Sequence, residues 1–133
     1  MTVRRTAINP WPWSLAMGFN QAELVTGATR TLHLAGQTAM DADGTPQHAG
    51  DMAAQISMAL DNLEEVLGQA GMALADIVRL NIYTTNVDMF LEHYSVLAER
   101  LAAVGVSPPG TLLGVVRLAF PELLVELEAT AQD

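Results

Sequence analysis

The chain has 133 residues, half of them hydrophobic, and carries a formal net charge of −9 from fifteen acidic and six basic side chains. Proteins that bind nucleic acids or anionic membranes need a positive surface patch, so this charge balance argues against both kinds of partner. The chain contains no cysteine, which excludes disulfides, thiolate catalysis and cysteine-based zinc sites.

The length and even composition predict a single domain that spans residues 1–133. A mean hydropathy of +0.25 is high for so short a chain. Part of the apolar surface is therefore expected to be buried between subunits. The arginines near the start precede no continuous apolar run, which argues against a signal peptide, and no uncharged segment is long enough to span a bilayer. We expect a cytoplasmic protein.

The first third of the chain predicts strands and turns. Pro10 and Pro12 exclude a regular helix in the first segment. Residues 23–26 and 31–37 are typical of strands, and residues 27–30 between them are typical of a hairpin turn. We therefore expect these two strands to pair with each other.

Two amphipathic helices and a strand follow. Apolar residues three and four apart predict a helix over 51–70. Residues 77–85 are rich in β-branched and aromatic side chains, which indicates a strand. A second helix is predicted to begin near Asp88, as its N-cap, and to end at Gly105.

Two strands are predicted at the end of the chain, over 111–118 and 123–131, and the short link between them suggests an antiparallel hairpin. The order of elements indicates an α+β fold with both helices on one face of a sheet. The other face must then be buried elsewhere, most simply against further subunits.

The last strand places two carboxylates side by side. Side chains alternate along a strand, so Glu126 and Glu128 share one face while Leu123, Val125 and Leu127 share the other. If the acidic face is enclosed, at least one of the two carboxyls should have a raised pKa. A solvent-exposed strand face is the alternative that this segment leaves open.

No metal or cofactor site is predicted. His33, His48 and His93 lack the spacing of metal ligands. Residues 41–44 begin like a calcium loop but lack its later acidic ligands, so they are interpreted as a turn.

Several segments resemble, in order and at matching separations, the Rid (reactive intermediate deaminase, YjgF-like) family. Leu34-Ala35-Gly36-Gln37 resembles the Ser-Gly-Gln strand of that family. Residues 51–63 resemble its first helix, residues 76–90 the following strand and helix, and residues 117–129 its C-terminal strands.

The resemblance implies a chorismate-mutase-like fold and a homotrimer with a central barrel and ligand clefts between subunits. The best-known members hydrolyse reactive imine and enamine acids, such as 2-aminoacrylate, to a keto acid and ammonia without a metal or organic cofactor. By the same resemblance, Gly36 and Glu126 are retained site residues, and Glu128 lies beside them.

Other site residues of the family are replaced in this chain. Counting back from Glu126, the carboxylate-binding arginine of the family falls at Thr111, and its customary cysteine falls at Leu113. An asparagine falls at Tyr94, and an N-terminal tyrosine falls near Trp13. A threonine cannot supply the paired, charge-assisted hydrogen bonds with which a guanidinium holds a carboxylate.

The usual amino-acid-derived imine is therefore a poor candidate unless Arg79 or Arg117 reaches the cleft. The leading hypothesis is a Rid-type hydrolase that acts on an imine, enamine or related small molecule without the usual carboxylate clamp. Glu126 would position or activate water. The expected pocket residues are Gly36, Trp13, Phe19, Tyr94, Thr111, Leu113 and Glu128. The alternative is a noncatalytic trimer that binds a small molecule or a partner protein. A ribonuclease is disfavoured by the net charge.

Overall fold

The computed structural model describes residues 2–133 and contains two β-sheets and three α-helices. The strands are β1 Arg4–Ile8, β2 Ala22–Thr26, β3 Thr31–His33, β4 Ile77–Thr84, β5 Leu112–Gly114 and β6 Val125–Gln132. The helices are α1 Met52–Gln69, α2 Val87–Glu92 and α3 Tyr94–Ala103, and short 3-10 helices span Pro12–Met17 and Leu74–Asp76.

The predicted hairpin between residues 23–26 and 31–37 is wrong, because β2 pairs antiparallel with β1 in a sheet of their own. β1 was not predicted, and the strand that would have completed the hairpin, β3, pairs with β6 instead. Gly27, with φ of 78°, turns the chain from this small sheet to β3 in the larger one. A Cβ there would meet the carbonyl oxygen of Thr2 at 2.7 Å.

The larger sheet has the order β3-β6-β4-β5. β6 lies antiparallel to both of its neighbours, whereas β5 runs parallel to β4. The predicted hairpin of the last two strands is therefore wrong, since β5 and β6 lie on opposite sides of β4. β5 ends at Gly114 instead of residue 118, and the ten residues 115–124 give the chain enough length to cross to the far side of β4.

α1 follows the prediction closely. The side chain of Asp51 accepts a hydrogen bond from the backbone N–H of Ala54 and caps the first turn. The apolar stripe of α1 packs into the core against β6. Buried Gln55 donates to the carbonyls of His48 and Glu122 and accepts from the N–H of Leu124, so it fastens α1 to the segment that enters β6.

The second predicted helix is interrupted. Asn86, rather than Asp88, caps it by accepting from the N–H of Met89. The helix stops at His93, whose backbone leaves the helical region, and α3 begins with the next residue. Phe90 and Leu97, one on each side of the break, are both buried in the core. The apolar stripe predicted for one helix is therefore buried on both sides of the break.

The two central strands divide the sheet into an apolar inner face and a polar outer face. Alternate residues of β4 and β6 are buried beneath the helices, and these include Leu80, Ile82, Val125, Leu127 and Ala129. Their outward neighbours are polar: Arg79, Asn81, Tyr83, Glu126, Glu128 and Thr130. The α+β prediction with helices on one face is confirmed, and the second face, which we expected to be buried against further subunits, is polar along its two central strands.

Several large apolar side chains are exposed, and one of them, Leu113, lies on the outer face beside Tyr83. They include Trp11, Trp13, Leu24, Leu113, Val116 and Phe120. No helix within residues 2–133 is both long and apolar enough to cross a membrane.

Gly110 should be irreplaceable for a steric reason. A Cβ at this position would lie 1.6 Å from the carbonyl oxygen of Leu80, so Gly110→Ala must push β5 away from β4. We expect a loss of about 1–3 kcal/mol in the free energy of unfolding, measured by chemical denaturation. Gly68→Ala is the matched control, because nothing lies within 4 Å of its added methyl group and alanine favours the helix by about 0.5–1 kcal/mol. Equal stability of the two variants would contradict the close β4–β5 packing.

Candidate functional site

The carboxylate of Glu126 lies directly above the backbone of Gly36. A Cβ atom at position 36 would stand 2.0 Å from Oε1 of Glu126, so only glycine leaves room for this carboxylate. Ala35 and Gly36 together stand opposite the single residue Glu128 of β6, as in a β-bulge. The irregularity after β3 thus creates the space that the carboxylate occupies.

The two neighbouring carboxyls of β6 are in different electrostatic states. Partial burial, and secondarily the negative charge of Glu128, raise the pKa of Glu126. Hydrogen bonds from Asn81 and Tyr83 lower the pKa of Glu128. We predicted a raised pKa for at least one of these carboxyls, and this holds for Glu126. A raised pKa brings a carboxylate closer to the range in which it serves as a general base.

Glu128 is held by two donors from β4. Its Oε1 accepts from Nδ2 of Asn81 at 3.0 Å and from the hydroxyl of Tyr83 at 2.9 Å. This engagement with Glu128 in turn raises the pKa of the Tyr83 hydroxyl. Glu128 is therefore a fixed negative charge beside Glu126 and is already hydrogen-bonded within the sheet.

The polar network continues to β5. The backbone N–H of Thr111 donates to Oδ1 of Asn81 at 3.2 Å. Nη2 of Arg79 donates to the Thr111 hydroxyl over a long 3.4 Å. Arg117, the other arginine considered in the sequence, instead donates to the carbonyls of Leu118 and Ala119 in its own loop. Arg79 is thus the arginine that reaches the position of Thr111.

An apolar cavity of about 220 Å³ opens on the other side of β5. It lies between the N-terminal 3-10 helix, the α2–α3 pair and the β4–β5 edge. Its walls include four residues expected in the pocket, Trp13, Phe19, Tyr94 and Thr111. Leu113 does not line it.

Aromatic contacts build the mouth of the cavity. Trp13 and Phe19 meet edge to face with ring centroids 5.8 Å apart, although Trp13 remains 59% exposed. Tyr94 packs in the same manner on Phe90, and its hydroxyl donates to the carbonyl of Met17 at 2.5 Å. Tyr94 therefore anchors the N-terminal segment, and burial raises the pKa of its hydroxyl.

The structure separates the predicted site residues into two groups. Glu126 lies on the inner strand β6 beside Gly36, whereas Thr111 and Leu113 lie at the β5 edge. Only β4 stands between Glu126 and β5, and Glu126, Tyr83 and Leu113 lie in one row across the three strands. Neither Gly36 nor Glu126 lines the apolar cavity that includes Thr111.

Sequence reasoning assigned no role to Asn81 or Tyr83. Both were placed on the same strand face as Arg79, but the pairing of β4 with β6 that sets them against Glu128 was not predicted. Among residues 2–133, no group of histidine and acidic side chains is arranged to hold a metal ion.

Neutralising Glu126 should stabilise the protein. A group whose pKa is higher in the folded state contributes its full stabilisation below its unfolded-state pKa. This contribution is lost as the pH rises through the folded-state pKa. Since glutamine resembles the protonated carboxyl, we expect Glu126→Gln to raise the melting temperature at pH 7 and to have little effect near about pH 3.5. Glu65→Gln, on the exposed face of α1, controls for the change in net charge. A lower melting temperature for Glu126→Gln than for that control at pH 7 would contradict the assigned burial.

Known proteins with similar sequences and structures share this fold. Residues 14–133 match the family described as Endoribonuclease L-PSP. The Rid family protein YyfB from Yersinia pestis is 37% identical, with a TM-score of 0.83 over 99% of each chain. A YjgF family protein from Mycobacterium tuberculosis is 31% identical, with a TM-score of 0.66 over 99% of this chain and 100% of that one.

A RutC family protein from Pyrococcus horikoshii is 29% identical over 100 residues, which make up 75% of this chain and 77% of the relative. The family match covers most of the chain, and the solved relatives share its fold over nearly its whole length. The chain therefore belongs to the Endoribonuclease L-PSP family, which includes the Rid, YjgF and RutC proteins.

Proposed function

We propose that this protein hydrolyses an imine or enamine, with Glu126 as the residue that activates water. The observation that carries the proposal is the Glu126 carboxylate above Gly36, half-buried and with a raised pKa. A raised pKa makes Glu126 a stronger base than an ordinary carboxylate, and the backbone of Gly36 borders it. Nothing in this chemistry requires a metal or an organic cofactor.

The reaction balances with water alone. Glu126 accepts a proton as water forms a C–O bond to the imine carbon, and the C=N double bond becomes a single bond. That proton passes to nitrogen and gives a carbinolamine. Glu126 then carries the proton of the carbinolamine hydroxyl to nitrogen, the C–N bond breaks, and ammonia leaves as the carbonyl forms. An enamine enters the same route after its carbon is protonated to give the imine.

We further propose that the complete site forms between neighbouring copies of the chain in a homotrimer. Gly36, which borders Glu126, follows β3 at one edge of the four-stranded sheet, and Thr111 and Leu113 lie at the other edge beside β4. A ring of copies joined edge to edge would bring the β5 edge of one subunit beside the β3 edge of the next. Exposed Leu113, 49% accessible, and Val116 would be covered by that contact.

A noncatalytic small-molecule binder is the second candidate, and the apolar cavity favours it. Leu80, Ile82, Phe90, Leu97 and Leu101 supply its apolar walls, and the hydroxyl of Tyr94, its titratable residue, is already bonded to the carbonyl of Met17. A protein of this kind would bind an uncharged apolar molecule and leave imines to hydrolyse at their spontaneous rate. The net charge of −9 continues to argue against ribonuclease activity.

The hydrolytic proposal is tested with a panel of imines generated in situ, by following release of the carbonyl product. We expect the wild-type protein to accelerate at least one imine and Glu126→Gln to reduce kcat/KM by about 10²–10⁴. Glu65→Gln should retain wild-type activity, because residue 65 lies on the exposed face of α1. Equal rates for wild type and Glu126→Gln would refute the role of Glu126. Spontaneous rates throughout, together with tight binding of an apolar ligand, would favour the second candidate.

A further inference from the structure

Tyr83 gives its hydroxyl to a carboxylate other than the one it faces. The register of β4 and β6 sets Tyr83 opposite Glu126 and Asn81 opposite Glu128. The Tyr83 hydroxyl nevertheless donates diagonally to Oε1 of Glu128 at 2.9 Å, beside the 3.0 Å bond from Nδ2 of Asn81. Within residues 2–133, no donor forms a hydrogen bond with the Glu126 carboxylate. Both donors of β4 therefore serve one carboxylate of the pair.

The two donors are themselves held in their roles. An asparagine amide has one accepting and one donating end, and a backbone N–H can only donate. The N–H of Thr111 therefore holds Oδ1 of Asn81 at 3.2 Å and leaves Nδ2 for Glu128. The hydrogen bond from Tyr83 to Glu128 raises the pKa of the Tyr83 hydroxyl, so this group stays protonated while the carboxyls titrate. Neither donor reverses its role over that pH range.

We propose that Asn81 and Tyr83 are positioning residues that keep Glu128 ionised and so select Glu126 as the carboxyl that takes up a proton from water. Two carboxylates on one strand face repel each other, so one of them accepts a proton more readily than an isolated carboxylate does. Hydrogen bonds to its charged form keep Glu128 ionised, whereas partly buried Glu126 has none. This inference rests on the proposed function, in which Glu126 receives that proton as water adds to the imine carbon.

The other charged or titratable groups on this face act in the same direction or lie apart. Within residues 2–133 they are Arg79 from β4 and His33 from β3, and β5 brings no charged side chain. The charge of Arg79 also favours ionised Glu128, although less than the two hydrogen bonds do. His33 is exposed and stands opposite Thr130 rather than opposite either glutamate. The two β4 donors therefore decide which carboxyl stays ionised.

The test follows both carboxyls by NMR titration of the side-chain carboxyl carbons in the intact protein. In the wild type we expect Glu126 to take up its proton at a higher pH than Glu128. Tyr83→Phe removes one donor at nearly constant size, so Glu128 should titrate at a higher pH and the two midpoints should approach each other. Adding Asn81→Leu should narrow the separation further. Thr130→Val is the matched control, because it removes a hydroxyl of the same face that gives Glu128 no hydrogen bond, and it should leave both midpoints unchanged.

Glu128→Gln supplies a second readout. It keeps the size of the side chain but removes the negative charge that contributes to the raised pKa of Glu126, so Glu126 should titrate at a lower pH. Where an imine is hydrolysed, the acidic limb of the kcat/KM profile should move to lower pH with it, because the base must be ionised. A merely structural network would lower the whole profile and leave its pH dependence in place.

Circular dichroism and melting curves establish that each variant is folded. Midpoints that stay at their wild-type values in folded Tyr83→Phe and in the double variant would overturn the inference. So would a wild-type protein in which Glu128 takes up its proton at a higher pH than Glu126. Because the titration needs no substrate, midpoint shifts that depend on Tyr83 and Asn81 support this inference even where no imine is hydrolysed, and only the proposed function then fails.

Discussion

The strand β6 is the constraint on which the rest of the molecule depends. Its alternate residues Val125, Leu127 and Ala129 seal the core beneath α1, and the intervening Glu126 and Glu128 must therefore face outward. A shift of one residue in its register would bury both carboxylates and expose the core residues. The packing that stabilises the fold thus also fixes the positions of the two acidic groups.

Two neighbouring carboxylates acquire different properties from what surrounds them. Glu128 is satisfied by Asn81 and Tyr83, whereas Glu126 lies over the backbone of Gly36 in partial burial. The same repulsion acts on both, but only one has hydrogen bonds that offset it. The protein with an ionised carboxylate at position 126 should therefore be less stable than one with a neutral side chain there. Such a loss of stability is common at functional sites.

The sequence predicted most of the helices and the faces of the strands, because periodicity reports burial directly. The extent of α1 and the alternation of β4 and β6 follow from the spacing of their apolar residues. The pairing of strands could not be predicted in the same way. β2 and β5 each pair with a strand that is not their expected partner, and this choice depends on long-range packing rather than on turn residues. The partnership of Arg79 with Thr111 depends on that same β4–β5 pairing.

The central claim is that neighbouring subunits share one site, with Gly36 and Glu126 from one and Thr111 from the next. A crystal structure of the assembled protein with pyruvate, a keto acid of the product class, tests this most directly. The account predicts a trimer in which pyruvate lies between the two subunits, with its carbonyl carbon facing Glu126 of one subunit and the edge at Thr111 of the other beside it. A monomer, or a trimer in which the edge at Thr111 lies far from Gly36 of every neighbouring copy, would contradict it.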